Sequence, residues 1–310
     1  MVELTVITPC YNEEENIEQC ISDLAQIIYA YAPNLNYEHI ISDNASTDKT
    51  LNVMKDLKKK YPNIRILKNS RNIGPVLNIW SALNFARGEL VIPFLPADLQ
   101  DPVSVIPKFL LLIQNNPEVD TVFGIRKNRK ESFCLRKSRN LYYKIITRSG
   151  QVELPEHAGE FLITRKEIIK SILETNQEYP YIRGLIAQTS QSTKSIEYDW
   201  DKRTKGKSKN SFWSLLDEAL NGFVSVSRIP GRFAIIFGFI MSIFGILFAI
   251  INFIATIVDT TKVTPGIPTI IVGLFLFSGI QLAFLGLIGE YVLSIHRQVK
   301  RNPNHIVVEI

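Results

Sequence analysis

Two long uncharged runs near the end of the chain limit its possible folds more than any other feature. Phe233–Val258 contains 26 residues and Val263–Gly289 contains 27, and neither run holds an acidic or basic side chain. At ~1.5 Å per residue, a helix of either run reaches roughly 39–40 Å, more than the ~30 Å hydrocarbon core of a bilayer. Soluble helices rarely run this long without a charge, which disfavours two buried helices in a large soluble core. The pattern predicts two membrane spans.

The charges around these runs predict their orientation. Basic residues stand outside both runs, at Arg228, Arg232, Arg297, Lys300 and Arg301, whereas the connecting loop holds one lysine and one aspartate. Because basic residues favour the cytoplasmic side, both ends of the hairpin are expected there. The N-terminus shows a short strand-like run followed by acids, which is not a signal peptide. We therefore expect an integral protein of the inner or plasma membrane, with the N-terminal domain and both termini cytoplasmic.

Residues 1–210 alternate between strand-like and helix-like patterns. LTVITP, YEHIISDN and IRILKN are β-rich, and they are separated by the amphipathic segments ENIEQCISDLAQIIYAY and DKTLNVMKDLKKKY. This alternation predicts an α/β fold with a parallel sheet and functional residues at the carboxyl ends of its strands. No G-x-G-x-x-G or G-x-x-x-x-G-K-[ST] motif occurs, so dinucleotide-binding and P-loop proteins lose their main support.

A third segment lies between the domain and the first run. Residues 211–231 place apolar side chains at helical spacing with a thin polar face. A core helix would show the same pattern, but the position beside a predicted span favours an amphipathic helix at the membrane interface. The predicted organisation is a domain at 1–210, a juxtamembrane helix at 211–231, and a two-span hairpin with a short tail at 232–310. Three cysteines without a C-x-x-C pair disfavour a disulfide framework or a zinc site.

Six short motifs occur in order along the chain. They are PCYNE at 9–13, DNASTD at 43–48, RNIG at 71–74, PADLQDP at 96–102, IRGL at 182–185 and RTKGKSK at 203–209. Together with the two C-terminal runs, they resemble glycosyltransferase family 2, and within it the polyprenyl-phosphate glycosyltransferases of the dolichol-phosphate mannose synthase and GtrB group. The resemblance covers essentially the whole chain. It implies a GT-A fold, which is a Rossmann-like and mostly parallel sheet.

The resemblance also implies an activity and a donor site. The activity is inverting transfer of one sugar from a nucleotide diphosphate-sugar, expected to be a UDP-sugar, to undecaprenyl or dolichyl phosphate. Residues expected to bind the nucleotide-sugar are Pro9, Tyr11, Asn12, Glu13, Asp43, Arg71, Asp98, Arg183, Arg203 and Lys209. Asp43 would accept hydrogen bonds from the base or ribose, and its alternative role is that of a turn residue. For YNEEEN, the alternative is the start of a helix with favourable acids.

A diphosphate leaving group is well matched by a hard divalent cation with oxygen ligands. The resemblance assigns this role to Asp98 and Gln100, with Mg²⁺ or Mn²⁺ as the cofactor. Relatives carry an acid where this chain has Pro96, which has no ligating side chain. Two interpretations stay open: a site with fewer protein ligands, and a site that works with little metal.

Basic residues cluster in two stretches between the donor motifs and the predicted membrane. Positions 126–148 hold nine basic residues and one acid, and positions 201–209 hold five basic residues and one acid. Such runs are often solvated surface, but their position favours capture of a lipid phosphate. The resemblance implies Arg126 as an acceptor-phosphate ligand, and Arg136 and Arg139 are plausible partners. A nucleic-acid partner is not expected of an anchored domain with these donor motifs.

Asp98, Glu160 and Arg203 are the predicted catalytic residues. Glu160 stands where relatives usually carry aspartate. Because the second pKa of a phosphomonoester is about 6, the acceptor is mostly dianionic at neutral pH and a general base adds little. Glu160 is therefore expected to orient the acceptor or its basic ligands, or else to be a structural carboxylate. Arg203 and Lys209 are expected to stabilise the departing diphosphate.

Two alternative functions stay open. A processive membrane polysaccharide synthase would share the donor motifs, but it needs more spans and a Q-x-x-R-W motif, where this chain has IRGL. An inactive membrane assembly subunit is the second alternative, and Pro96 is the argument for it. The resemblance also suggests a homo-oligomer, expected to be a tetramer.

Overall fold

The computed structural model of the protein describes residues 1–127, 158–175, 177, 180–199, 267–299 and 307–310, together with single helical positions between 237 and 254. The chain divides into two compact units. The first comprises Met1–Leu215 and Arg301–Ile310, and the second comprises Leu216–Lys300. The predicted juxtamembrane helix at 211–231 lies outside the described residues.

The first unit alternates strands and helices over most of its described length. Its strands are β1 (Leu4–Cys10), β2 (Tyr37–Asp43), β3 (Ile64–Asn69), β4 (Leu90–Ile92), β5 (Thr121–Lys127), β6 (Ala158–Arg165), β7 (Thr193–Asp199) and β8 (Val307–Glu309). Its α-helices are α1 (Ile17–Tyr31), α2 (Thr50–Lys60), α3 (Pro75–Leu83), α4 (Ile106–Gln114), α5 (Lys166–Glu174) and α6 (Ile182–Thr189), and a 3₁₀ turn at Val103–Val105 precedes α4.

The strands form one mixed sheet in the order β7-β5-β6-β4-β1-β2-β3-β8. The strands β4, β1, β2 and β3 run parallel to one another, and β7 runs parallel to β5. Three pairs are antiparallel, namely β4–β6, β5–β6 and β3–β8. The predicted α/β fold around a Rossmann-like sheet is therefore confirmed.

Burial follows the sequence pattern of the central strands and their helices. Nearly every residue of β1 and β2 is buried, as expected for parallel strands covered on both faces. The amphipathic helix α1 buries Ile17, Cys20, Ile21, Leu24 and Ile28, which recur at the three- and four-residue spacing of one helix face. This packing fixes the strand ends that carry the polar motifs.

The C-terminal residues form an edge strand of this sheet. β8 pairs antiparallel with β3, with Glu309 opposite Leu67. Arg65 of β3 donates from Nε to Glu309 at 2.7 Å and from Nη1 to Glu38 at 2.7 Å, which ties the tail to two inner strands. Sequence analysis gave only a short tail here, because three residues are too few to show a strand period.

In the second unit, the longest described helix is α7 (Ile267–Val299), with 33 residues. The described positions of the first apolar run are also helical, and the rings of Phe237 and Phe284 lie 5.9 Å apart. Several large apolar side chains of α7 are exposed, among them Ile270, Leu274 and Leu282. Among the residues that the structure describes, no helix meets the combined length and hydropathy that a membrane crossing requires. The two spans therefore stay a prediction.

Candidate functional site

The candidate site lies at the carboxyl edge of β1, β2, β3 and β4. Because these strands are parallel, the loops that follow them meet at one edge of the sheet. Among the described residues, the non-glycine residues with positive φ are Asn12, Ala45 and Leu99, at 55°, 59° and 55°. All three lie in these loops. Left-handed backbone at non-glycine residues is unfavourable and concentrates at functional sites.

Side chains of the loops after β1 and β2 hold the two loops together. Asn12 accepts a hydrogen bond from the Thr47 amide at 2.8 Å, and its own amide N–H donates to Ser46 Oγ at 3.0 Å. The Glu13 amide donates to Thr50 Oγ1 at 2.9 Å. The structure thus brings the predicted donor residues 11–13 beside Asp43, and it gives the Asn12 side chain a loop-joining contact.

Asp43 ends β2 and has an incompletely satisfied carboxylate. The residue is fully buried, and its Oδ1 accepts a hydrogen bond from the Ser46 amide at 3.1 Å. Its Oδ2 is buried and has no hydrogen-bond partner among the described residues. A buried polar atom without a partner is costly, so most such atoms in proteins are paired. The arrangement matches an acceptor atom reserved for a ligand.

A buried asparagine network supports this edge from below, and sequence analysis did not foresee it. Asn78 Oδ1 accepts hydrogen bonds from Ser42 Oγ at 2.6 Å and from Asn69 Nδ2 at 2.8 Å. Asn44 Oδ1 accepts from Asn69 Nδ2 at 3.2 Å, and Asn44 Nδ2 donates to Asn72 Oδ1 at 2.9 Å. The network joins the ends of β2 and β3 to the start of α3. NSRNIG was the available signal, but the motif alone does not show which amides are buried.

Two buried thiols at this edge respond to the acids of the surrounding loops. Burial raises the pKa of the Cys10 thiol well above its usual value, and the charges of Cys20, Glu13, Asp43 and Asp48 raise it further. Burial raises the pKa of Cys20 to about 12, with Asp98 and Glu13 among the contributing charges, whereas a hydrogen bond with Thr8 lowers it. Glu13 therefore acts on both thiols. A group of acids suits N–H and O–H donors or a cation better than a bare anion.

Asp98 and Gln100 lie in the loop that follows β4. Asp98 Oδ1 accepts a hydrogen bond from the Gln100 amide at 3.2 Å, which makes a tight turn around the left-handed Leu99. Both side chains are partly exposed. Their carboxylate and amide oxygens are suitable ligands for Mg²⁺ or Mn²⁺. Among the described residues, however, no group of three acidic, histidine or cysteine side chains is arranged to hold a metal ion.

Glu160 and Arg183, which the motifs placed far apart, line one small pocket. Pro93 and Phe94 of the loop after β4 line the same pocket. Arg183 donates from Nη1 to the Ala158 carbonyl at 2.7 Å and from Nη2 to Tyr181 Oη at 2.6 Å. The pocket therefore adjoins the carboxyl end of β4. Arg183 fixes the strand that carries Glu160.

Arg126 lies in a buried ion pair that sequence analysis did not foresee. Its Nε and Nη2 donate to the two carboxylate oxygens of Asp101, at 2.8 and 2.5 Å, and Tyr198 Oη donates to Asp101 Oδ1 at 2.5 Å. Burial alone would lower the pKa of Arg126, but the charge and hydrogen bonds of Asp101 outweigh it and raise that pKa. The guanidinium stays charged. Asp101 stood inside the PADLQDP motif without an assigned role, and Tyr198 gave no sequence signal.

The other predicted site residues divide into two groups. Pro9 is half-buried near the end of β1, and Arg71 is exposed in the loop before α3. Arg136, Arg139, Arg203 and Lys209 lie outside the described residues. Their predicted roles stay predictions.

The chain matches a known protein family. The family model described as Glycosyl transferase family 2 matches residues 5–173, which is more than half of the chain. The protein belongs to this family and is a glycosyltransferase. The family membership predicted from the motifs is confirmed.

Curated relatives align along the whole chain. An uncharacterized glycosyltransferase of Synechocystis sp. is 29% identical, with 100% of this chain and 96% of the relative covered. The SfII prophage-derived bactoprenol glucosyl transferase of Shigella flexneri is 27% identical, with 99% and 97% covered. The likeness extends beyond residue 173 and includes the two apolar runs.

Among solved structures, the mannosyltransferase PcManGT from Pyrobaculum calidifontis, determined in complex with GDP-Man and Mn²⁺, is 18% identical. The alignment has a TM-score of 0.51 and covers 72% of this chain and 62% of the mannosyltransferase. This chain therefore spans less than two thirds of the length of the mannosyltransferase. At this identity the likeness shows the fold alone.

Proposed function

We propose that the protein transfers a single sugar from a nucleotide diphosphate-sugar to a polyprenyl phosphate, giving a lipid-linked monosaccharide. Two observations support the proposal. Asp43 offers a buried oxygen at the strand edge that has no hydrogen-bond partner among the residues the structure describes. Relatives named bactoprenol glucosyl transferases cover nearly the whole chain. Of the two, the Asp43 carboxylate carries the donor half of the proposal.

In this proposal, Asp43 accepts a hydrogen bond from a base N–H or a ribose O–H through Oδ2. Asn12 and Ser46 hold the loops that frame it. A nucleotide N–H or O–H group would supply the missing partner, so binding relieves the cost of the buried oxygen. We take uracil as the expected base, with Tyr11 and Glu13 beside it.

Asp98 and Gln100 would supply two oxygen ligands to Mg²⁺ or Mn²⁺. Bound there, the cation would offset the negative charge that develops on the departing diphosphate. Pro96 adds no ligand and Asp101 is committed to Arg126 and Tyr198, so of the described loop after β4 only Asp98 and Gln100 are proposed as ligands. We propose that Glu160, which lies on β6 beside Arg183, orients the acceptor.

The acceptor is dissolved in a membrane, and we propose that the two apolar runs anchor the protein in that membrane. Extracting a polyprenyl chain costs about 0.8 kcal/mol per exposed CH₂, so the enzyme must work at the bilayer surface. The absence of charges from both runs and the exposed aliphatic side chains of α7 support this location. The proposal places the first unit and both termini in the cytoplasm.

A transfer assay tests the proposed function. Full-length protein is incubated with radiolabelled UDP- and GDP-sugars, undecaprenyl phosphate and Mg²⁺ or Mn²⁺, and label is counted in the organic phase. We expect one donor to give a lipid-linked monosaccharide, with loss of product in excess EDTA. Asp43→Ala should abolish transfer. The matched control Asp56→Ala should not, because Asp56 is 74% exposed on α2 and pairs only with Lys59 among the described contacts.

Other results would contradict the proposal. A product with many sugars would indicate a processive synthase. No transfer and no donor hydrolysis with any donor would indicate an inactive assembly subunit. Full activity in EDTA would exclude the metal role of Asp98 and Gln100 while leaving the transfer itself in place.

A further inference from the structure

Asp101, Arg126 and Tyr198 form a cluster, which we call the Asp101 cluster, between the loop after β4 and the strands β5 and β7. Asp101 is fully buried, and the Arg126 side chain is 19% exposed. Arg126 and Tyr198 stand opposite each other in the parallel register of β5 and β7. One carboxylate therefore joins three chain segments.

Two glycines leave space for this cluster. A Cβ atom at Gly124 would lie 2.7 Å from Tyr198 Cε1 and 2.7 Å from the Phe161 carbonyl oxygen. A Cβ at Gly159 would lie 3.3 Å from Arg126 Nε. Any larger residue at 124 would displace the Tyr198 ring from Asp101. Glycine at these two positions thus leaves the space that the Tyr198 ring and the Arg126 side chain occupy.

The charge balance favours an ion pair that stays closed. A bidentate arginine–carboxylate pair is a strong, geometrically fixed interaction. Drawing the guanidinium away would leave the Asp101 carboxylate buried without its counterion, a strongly unfavourable state. Asp101 engages Nε and Nη2 of Arg126, so these two donors hold the carboxylate in place.

We propose that Arg126 is a positioning residue that acts through Asp101 on the turn formed by Asp98, Leu99 and Gln100. Asp101 follows Gln100 directly, so fixing its carboxylate fixes the end of a turn whose middle residue has a left-handed backbone. Arg126 then serves the donor side of the reaction through Asp101, a role that the motif did not indicate. The inference rests on the proposed function for its kinetic readout.

A double-mutant cycle on the full-length protein tests this inference. We expect Asp101→Asn and Arg126→Gln each to lower kcat/KM for the donor about tenfold, with the KM for undecaprenyl phosphate changed less than about twofold. Because both substitutions break the same Asp101–Arg126 ion pair, the double variant should be no worse than the more damaging single variant. Tyr198→Phe keeps the ion pair and the ring, and should shift the donor parameters in the same direction by a smaller factor.

Calorimetry supplies a readout that is independent of turnover. UDP, with GDP in parallel, is titrated with and without Mn²⁺. We expect Asp101→Asn and Arg126→Gln to weaken binding in Mn²⁺ about tenfold and to leave metal-free binding unchanged, since Asp43 is untouched. The matched control Glu197→Gln removes the exposed Lys127–Glu197 pair on the same two strands and should alter neither quantity.

A large rise in the KM for undecaprenyl phosphate in Arg126→Gln, with donor parameters unchanged, would overturn the inference and assign Arg126 to the acceptor. Multiplicative effects in the double variant would overturn it as well. If the wild type transfers no sugar to the lipid, the proposed function fails, and the Mn²⁺-dependent nucleotide binding still decides whether the Asp101 cluster positions the turn.

Discussion

The two halves of the sheet hold their polar side chains in different ways. In the half formed by β1–β4, neutral and charged groups from several loops share many hydrogen bonds, as in the asparagine network. In the half formed by β5–β7, the buried charges belong to one ion pair, that of the Asp101 cluster, and neutral hydroxyls such as Thr121 and Thr164 contact each other. Among the described residues, the first arrangement leaves Asp43 Oδ2 and Asn69 Oδ1 without a hydrogen-bond partner, and the second satisfies both oxygens of its carboxylate. The first half therefore offers a ligand a hydrogen-bond acceptor at Asp43, and we expect the second half to hold the turn that carries Asp98 and Gln100.

Asp43→Asn should show the largest effect, because it removes the carboxylate whose Oδ2 has no hydrogen-bond partner among the described residues. We expect donor affinity to fall roughly 100-fold, which corresponds to about 2.7 kcal/mol. The thermal midpoint should hold or rise, since a buried charge without a full set of partners is costly in the free protein. Calorimetric titration with UDP and GDP measures the donor affinity. A thermal melt of the same sample measures the thermal midpoint.

Asp101→Asn is the control for the prediction that Asp43→Asn lowers donor affinity without lowering the thermal midpoint. Its carboxylate is fully paired, so the substitution leaves the Arg126 charge uncompensated and should lower the thermal midpoint. If Asp43→Asn and Asp101→Asn lower the midpoint equally, Asp43 is a structural residue and the contrast between the halves is wrong.

A pair of glycine substitutions gives the next largest effect. Gly124→Ala should destabilise the protein by about 1–3 kcal/mol, because its Cβ would meet both the Tyr198 ring and the Phe161 backbone. Gly74→Ala meets no atom within 4 Å, but it forces a residue with φ of 86° into an unfavourable conformation. That conformational cost is about 1–3 kcal/mol, because with ψ of 161° the residue lies in a region that is essentially restricted to glycine. Urea unfolding measures the free energies.

The two glycine variants separate crowding from conformation. Gly124→Ser should be worse than Gly124→Ala, since added volume deepens the clash. Gly74→Ser should cost about as much as Gly74→Ala, since position 74 has open space and its backbone conformation is one that essentially only glycine adopts. Equal tolerance of alanine and serine at position 124 would show that Tyr198 moves freely and that the space is not matched to the cluster.

His39 gives the smallest effect and concerns acid stability. Burial lowers the pKa of His39 to about 3, whereas an unfolded histidine titrates near pH 6.5. The unfolded chain thus binds more protons between these values, so the contribution of His39 is present above about pH 6.5 and is lost as the pH falls toward 3. The slope is at most about 1.4 kcal/mol per pH unit.

Urea unfolding of the wild type and His39→Gln at pH 7 and pH 5 measures this slope. Glutamine can keep a hydrogen bond toward Thr8, which lies 2.8 Å from His39 Nε2. We expect the variant to lose less stability on acidification than the wild type. Identical losses would show that His39 does not contribute to the acid sensitivity of this half.

Much of the fold was predictable from local pattern. Strand runs that end in TPCYNE and SDN gave the positions of β1 and β2, because buried parallel strands need continuous apolar residues. The three-residue strand β8 was not predictable, since its pairing with β3 joins residues more than two hundred positions apart. The same holds for Arg65, whose two carboxylate partners lie on different strands.

For the site, the motifs predicted which residue types gather at the strand ends, and the fold decided which of them remain available. The sequence by itself determined the family, the α/β alternation and the position of functional motifs at the strand ends, because each depends on residues close together in the chain. Only the tertiary structure decided that Asn12 joins two loops, that Arg183 braces β6, and that Arg126 pairs with Asp101. Those outcomes depend on hydrogen-bond partners brought from distant segments, and a buried charge takes the partner that packing places beside it.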